Sequence, residues 1–223
     1  RDLTVNAGDT VTFGGNVDAT GGSEIRDLTV AAATLHTDTN IITVARDLLL
    51  GGANAVEIDG EASVFTAAND IVFNANGTLD AAAGTETLQL VATAGNVVLG
   101  TIGNAVPLVN LDVDAAGIGI INSNITVAGA IDFADSANVD LSGDSSITST
   151  ADGAVTFGTD VDGPFALQIT NQSGAVTVGS VGANDRLDSL SLTSQTSTVT
   201  VNGASNTTGP IDIDALDTAT IGG

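Results

Sequence analysis

The sequence contains no cysteine, methionine, tryptophan, tyrosine or lysine, and it has only four arginines. Without cysteine, neither disulfides nor thiolate metal sites can form. Four scattered arginines are too few to neutralise a track of nucleic-acid phosphates, so the sequence predicts no nucleic-acid partner. The apolar runs are all shorter than the roughly 20 residues that a membrane-spanning helix needs, so no membrane span is expected in this segment.

Acidic residues dominate the charge of the chain. It has 23 aspartates but only 4 glutamates, and its formal net charge is -23. Aspartate favours turns and caps, whereas glutamate favours helix interiors. Hydrophobic residues make up 43% of the chain, which is too many for a disordered acidic tail. The composition therefore predicts a folded, turn-rich protein of 223 residues with little helix.

Short motifs recur at spacings of about 20 to 24 residues. Arg-Asp-Leu occurs three times, beginning at Arg1, Arg26 and Arg46, and Val-Thr-Phe-Gly occurs at residues 11–14 and 155–158. Toward the C-terminal end, residues predicted to point inward follow one another at separations of 21, 23 and 20 positions: Phe157, Val178, Val201 and Ile221. A repeat of this length over the whole chain indicates one elongated array.

Apolar residues alternate with small or polar residues inside each repeat, as in Val11 and Phe13 or Val155 and Phe157. This alternation, with Gly, Asn, Asp and Ser between the runs, is typical of half-buried strands. We therefore predict an all-β fold, a right-handed parallel β-helix (β-solenoid) with coils of about 20–24 residues. It would form a single domain over residues 1–223 with about ten coils. The alternative is an array of β-sandwiches, whose strands alternate in the same way.

The solenoid hypothesis makes specific predictions about its interior. Phe13, Phe133 and Phe157 should point inward, because each ends or centres an alternating apolar run. Asparagines that point inward can hydrogen-bond in ladders along the axis. Three asparagines are candidates for such a ladder: Asn104, Asn110 and Asn122.

Residues 8–30 and 153–203 carry a resemblance to a known family. Each stretch has a Val-Thr-Phe-Gly strand, a short turn that begins Val-Asp, and then a leucine-containing strand. This order resembles the repeat of filamentous haemagglutinin-like bacterial adhesins and autotransporter passengers. The resemblance implies a right-handed β-helical shaft that is exported to the bacterial cell surface and used in adhesion or biofilm structure. It implies no catalytic residues.

Aspartate clusters are the candidate metal ligands. Carboxylate and carbonyl oxygens suit Ca²⁺, and the densest groups are Asp160 with Asp162, and Asp212 with Asp214 and Asp217. We predict that these residues bind structural Ca²⁺; the alternative is diffuse screening by counterions. No other cofactor is expected.

Paired carboxylates also cleave polysaccharides, and β-helices often host such enzymes. Asp112 and Asp114, Asp160 and Asp162, and Asp212 and Asp214 are spaced so that each pair lies on one face of a strand. The sequence lacks the Trp, Tyr and Lys side chains of a glycan cleft, so we expect no enzyme activity. A carbohydrate-active β-helix, either a polysaccharide lyase or a tailspike-like hydrolase, remains the alternative. An ice-binding solenoid would need Thr-x-Thr ladders, which do not recur regularly here.

The single histidine, His36, has Asp38 nearby and could act with it as a general base. A catalytic triad or a multi-histidine metal centre is not expected, because no second histidine, cysteine or Gly-x-Ser-x-Gly motif is present. We interpret His36 as a surface histidine in a turn.

Repeat motifs begin and end the sequence, at Arg1 and at residues 219–223, and neither end resembles a cap. Uncapped solenoid ends expose strand edges. Two hypotheses follow, a segment of a longer shaft that packs on neighbouring repeats, or a subunit that stacks head to tail with itself. The sequence thus favours a structural extracellular β-solenoid, the shaft of a surface adhesin or a subunit of a fibre or biofilm matrix. Its expected partners are itself, neighbouring repeats and surface glycans.

Overall fold

The structure is a computed structural model that describes residues 1–17, 24–38 and 41–222. These residues form 25 strands. In chain order the strands are β1 (Leu3–Asn6), β2 (Thr10–Phe13), β3 (Leu28–Thr37), β4 (Ile41–Val44), β5 (Leu48–Ile58), β6 (Ala62–Ala67), β7 (Ile71–Phe73), β8 (Thr78–Ala81), β9 (Thr87–Ala92), β10 (Val97–Leu99), β11 (Thr101–Ile102), β12 (Asn110–Ala115), β13 (Ile118–Ile121), β14 (Ile125–Val127), β15 (Ile131–Asp132), β16 (Asn138–Leu141), β17 (Ser145–Ser149), β18 (Val155–Phe157), β19 (Val161–Asp162), β20 (Ala166–Asn171), β21 (Val176–Val178), β22 (Ser189–Ser194), β23 (Val199–Val201), β24 (Ile211–Ala215) and β25 (Ala219–Ile221). Within these parts of the chain, no helix is long and apolar enough to cross a membrane.

The strands wind into a parallel β-solenoid of about nine turns, with coils of about 23 residues. A typical turn contributes one short strand to each of three faces, as β10, β11 and β12 do, and each of these strands pairs with its equivalent in the next turn. The first two faces are joined through the long strands β3 and β5 in a 16-stranded sheet. The third face is the nine-stranded sheet that runs from β4 to β25.

Every pairing between the described strands is parallel. This excludes the β-sandwich alternative, whose sheets are antiparallel. The predicted all-β parallel solenoid and its coil length are confirmed, and the turns number about nine rather than the expected ten or so.

The core consists of equivalent apolar side chains stacked along the axis. On the third face Phe157 pairs with Val178, Val178 with Val201, and Val201 with Ile221, which confirms the ladder predicted from their spacing. The first three are fully buried, whereas Ile221 is 60% exposed because β25 lies at the edge of the sheet. Register between turns thus follows directly from the repeat length.

The phenylalanine prediction holds for two of its three residues. Phe133 and Phe157 are fully buried. Phe13 is only half-buried, because β2 belongs to the first turn and pairs on one side alone, with β3.

The predicted asparagine ladder is wrong. Asn104 is exposed, and the half-buried Asn110 and Asn122 bind the backbone of neighbouring turns instead. A buried polar ladder does exist at the end of the second face, where Ser149, Asn171 and Ser194 stack in register. Asn171 donates from Nδ2 to the carbonyl of Gly153 at 2.8 Å and to that of Ala175 at 3.2 Å, and its Oδ1 accepts from two backbone N–H groups.

The Arg-Asp-Leu repeats align along the first face, where Leu28 pairs with both Leu3 and Leu48. The same register brings Arg26 to Asp2 of the preceding repeat, with Nη2 and Oδ2 2.7 Å apart, and it brings Arg46 to the aspartate that follows Arg26. Because the arginine side chains are about half exposed, the main effect of these pairs is to favour one alignment of the turns.

Candidate functional site

Many acidic and amide side chains at the corners of the solenoid join one turn to the next. Asp70 Oδ1 accepts a hydrogen bond from the Asn96 backbone N at 2.8 Å, and Asn96 Oδ1 accepts one from the Ile118 backbone N at 2.8 Å. Side chains with the same role are Asp47, Asp80, Asn110, Asn124, Asp144 and Asp162. Since backbone donors at strand ends need acceptors, these residues have a structural reason to be Asp or Asn.

Asp162, a predicted calcium ligand, is only 3% exposed and is held by donors. Its Oδ1 accepts from the Asn184 backbone N at 3.0 Å, and its Oδ2 accepts from Asn184 Nδ2 at 2.9 Å. Burial raises the pKa of Asp162, but these hydrogen bonds outweigh burial and lower it overall. Asp140 lies opposite in the preceding turn, where burial and the charges of Asp162 and Asp185 raise its pKa. These carboxylates line a shallow notch of about 340 Å³.

The remaining predicted calcium ligands lie apart from Asp162. Asp160 directly precedes β19 and is half-buried. Asp212, Asp214 and Asp217 are exposed on the last described turn. Asp160 and Asp162 lie at β19 on the first face, whereas Asp212 and Asp214 lie in β24 on the second face, two turns further along, so the two predicted groups are on different faces and turns. Calcium binding at either group stays a prediction.

Asp112 and Asp114 project from the third face and share one partner. Gln89 Nε2 donates to Asp112 Oδ2 at 2.9 Å and to Asp114 Oδ2 at 3.2 Å. Burial, the charge of Asp114 and that of Asp132 raise the pKa of Asp112, and burial and the charge of Asp135 raise the pKa of Asp114. A shallow groove of about 330 Å³ runs beside Gln89 and Asp112.

His36 lies in strand β3 rather than in the predicted turn, and it faces acids of the next turn. Its Nδ1 is 3.6 Å from Glu57 Oε2 and 3.9 Å from Asp59 Oδ2. Partial burial, a hydrogen bond with Asp38 and the charges of Asp38 and Glu57 raise the pKa of Asp59, whereas His36 lowers it. Of the residues that the structure describes, only His36, Glu57 and Asp59 bring three His, Cys, Asp or Glu ligand atoms within 4.8 Å of one another.

Sequence reasoning missed Glu57 and Asp59 because neither is near His36 in the chain. A signal was available: His36 and Asp38 are spaced like Glu57 and Asp59, and the second pair follows the first by 21 residues. That separation is one coil. In-register pairing of His36 with Glu57 therefore stacks the two pairs.

The last described turn presents apolar side chains to solvent. Ile211 is 44% exposed, Leu216 74% and Ile221 60%. Strands β24 and β25 each form the outer edge of a sheet. At the other end of the solenoid, β1 and β2 pair only with β3, and Leu3 is 41% exposed. Both ends thus offer parallel strand edges with apolar side chains.

Comparisons of the chain with protein-family models, curated proteins and solved structures gave no match. The resemblance to adhesin repeats therefore depends on residues 8–30 and 153–203 alone, and membership of that family stays a prediction. The parallel β-solenoid fold stands independently on the strand pairing.

Proposed function

We propose that the chain is a structural protein, an extracellular β-solenoid shaft of a surface adhesin or fibre, and that it acts by end-to-end contact with another coil of the same kind. The observation that carries this proposal is the exposed end of the core ladder. Ile221 continues the stack of Val178 and Val201, and 60% of its surface faces solvent. A further coil, from a second copy or from neighbouring repeats of a longer shaft, would cover this end.

The stacked turns suit a mechanical role. Backbone hydrogen bonds between turns run parallel to the axis, the core beneath them is mostly apolar, and aspartates reinforce the corners. Nine turns at a strand spacing of ~4.8 Å give a rod ~43 Å long. Bending such a rod would break backbone hydrogen bonds on one side, so the fold favours stiffness.

Charge favours head-to-tail over other contacts. The net charge of -23 is spread along the sides, where it opposes lateral contact between rods. Because head-to-tail contact joins two different surfaces, it produces open filaments rather than closed dimers.

Sedimentation velocity at increasing concentrations of the 223-residue chain tests this proposal. Ile221→Asp places a charge at the end of the core, whereas Thr220→Asp, one residue away, places the same charge beside the outward-facing Thr200. We expect the unmodified chain and Thr220→Asp to associate with concentration and Ile221→Asp to remain monomeric. Strict monomers of the unmodified chain, or equal behaviour of the two variants, would contradict end-to-end contact.

One observation favours the second candidate, a carbohydrate-active β-helix. Asp112 and Asp114 form a carboxylate pair with raised pKa values beside a groove, as a general acid requires. Against it, the described lining of that groove includes no aromatic or basic side chain. Incubation with acidic and neutral polysaccharides tests this candidate. Chain shortening that is lost in Asp112→Asn would support it, and intact polysaccharide would exclude it for the substrates used.

A further inference from the structure

We propose that His36, Glu57 and Asp59 bind a divalent transition-metal ion, with Zn²⁺ the best fit, and that the ion joins two adjacent turns of the solenoid. His36 belongs to β3, whereas Glu57 belongs to β5 and Asp59 directly follows it. A shared ion would therefore crosslink the turns through side chains, on the outside of the strand ladder. This inference does not depend on the proposed shaft function.

The separations between the ligand atoms fit a small ion. In a tetrahedral site with Zn–N and Zn–O bonds of 2.0–2.2 Å, ligand atoms lie about 3.3–3.6 Å apart. His36 Nδ1 is 3.6 Å from Glu57 Oε2 and 3.9 Å from Asp59 Oδ2, so these two distances need to shorten by only a few tenths of an ångström, and all three ligand atoms lie within 4.8 Å of one another. Half-exposed side chains can make such an adjustment by small rotations. The side chains are 30%, 38% and 38% exposed, which also leaves an entry path for the ion.

The donor set selects the class of metal. One imidazole nitrogen with two carboxylate oxygens suits Zn²⁺ and its neighbours among the first-row transition metals, whereas Ca²⁺ and Mg²⁺ prefer oxygen ligands alone. The ion would also neutralise the repulsion of Asp59 by Asp38 and Glu57.

This cluster differs from the other acidic groups of the chain. Asp162 already accepts hydrogen bonds from Asn184, and Gln89 bridges Asp112 and Asp114. Within the described residues, the cluster at His36 alone combines a nitrogen ligand with carboxylates at ligand distance.

The competing interpretation is a simple ion pair between protonated His36 and the two carboxylates. The two interpretations differ in what holds the side chains together. A metal joins the neutral imidazole and both carboxylates through one ion per chain, whereas the ion pair forms without any added metal.

The single histidine makes the test direct. We would follow the imidazole resonances of His36 by NMR while adding Zn²⁺ or Ca²⁺ to the folded chain at neutral pH, and measure stoichiometry by calorimetry. We expect one Zn²⁺ per chain, shifts of the His36 resonances with Zn²⁺ but not with Ca²⁺, and a rise in melting temperature with Zn²⁺.

Three variants separate this site from diffuse binding to an acidic protein. His36→Gln and Glu57→Gln should each weaken Zn²⁺ binding about tenfold or more, because each removes a ligand. Asp152→Asn removes the same charge as Glu57→Gln from an exposed position in a later turn, and it should change binding by less than about twofold.

Circular dichroism would confirm that each variant folds. If His36→Gln did not fold, the imidazole shifts of the unmodified chain and the Glu57→Gln titration would decide. Imidazole resonances unmoved by saturating Zn²⁺, or equal affinity in Glu57→Gln and Asp152→Asn, would overturn the proposal.

Discussion

Phe133 and Phe157, from adjacent turns of the third face, stack with ring centroids 5.1 Å apart and an angle of 12° between their planes. The two rings are equivalent residues of successive repeats, so the register of the backbone places one directly over the other. Both are fully buried. The contact shows how the solenoid converts a sequence repeat into a continuous core.

Removing one ring should be costly. We expect Phe157→Ala to lower the free energy of unfolding by about 3–5 kcal/mol, because it leaves a cavity in a close-packed interior. Phe165→Ala removes the same side chain from a half-buried position and should cost clearly less. Urea titration of both variants measures the difference. A loss below about 1 kcal/mol for Phe157→Ala would contradict the assigned core.

The hydrogen bonds of the buried Asn171 side chain should also contribute strongly to the free energy of unfolding. Asn171→Ala removes the acceptor of two backbone N–H groups and a donor to two carbonyls, and we expect it to cost at least ~2 kcal/mol in a urea titration. Asn171→Ser introduces the residue found at the equivalent positions 149 and 194, where each serine hydroxyl donates to a carbonyl. This variant should lose less than half as much free energy of unfolding as Asn171→Ala. Equal losses would show that packing rather than hydrogen bonding stabilises this position.

Repeat spacing was sufficient to predict the parallel solenoid and the stacked positions of Phe157, Val178 and Val201. The asparagine ladder was misplaced, because the sequence shows which residues alternate but not where a corner reverses the direction of a side chain. Asn171 was overlooked for this reason: it ends β20, and the residues after it resemble an exposed turn. Corners depend on contacts with the next turn, which local patterns do not contain.

Stability should depend on pH in opposite ways at Asp112 and Asp162. The pKa of Asp112 is raised in the folded state, so the folded chain binds more protons between the ordinary and the raised value. The contribution of Asp112 to the free energy of unfolding is therefore lost as pH rises through that window. We expect Asp112→Asn to melt at a higher temperature than the unmodified chain at pH 7 and to lose this advantage at pH 3.

Asp162→Asn is the control, because it should change the melting temperature in the opposite direction. The pKa of Asp162 is lowered in the folded state, so its charged form contributes stability at neutral pH that is lost as pH falls through the lowered value. This variant should melt at a lower temperature at pH 7. If both variants shifted the melting temperature in the same direction, the assigned environments would be wrong.

Calcium should promote association of the rods through the last turn. Ca²⁺ can bridge Asp212, Asp214 and Asp217 to oxygens of a neighbouring end, and it should act more strongly than Mg²⁺, which releases its water reluctantly. Light scattering should rise with Ca²⁺ and fall with a chelator. Asp214→Asn should reduce the effect, whereas Asp144→Asn, which removes the same charge from a middle turn, should not. An equal response to Mg²⁺ would contradict a specific role for calcium.

Residue composition pointed to aspartate as the candidate ligand, but the structure gives many aspartates a different task. Asp70 and Asp144 accept backbone hydrogen bonds from the following turn, an interaction between residues more than 20 positions apart. The cluster around His36 depends on the same long-range register. The density of acids along the chain therefore predicts neither the aspartates that accept backbone hydrogen bonds nor the cluster around His36. Alignment of successive coils shows both.

Small-angle X-ray scattering over a range of protein concentrations tests the central claim, axial contact between stiff solenoid rods. The account predicts a constant radius of gyration of the cross-section, with particle length increasing in steps of one solenoid, ~43 Å for nine turns at ~4.8 Å. A cross-section that widens with concentration, or particles that keep the length of one solenoid at every concentration, would contradict it.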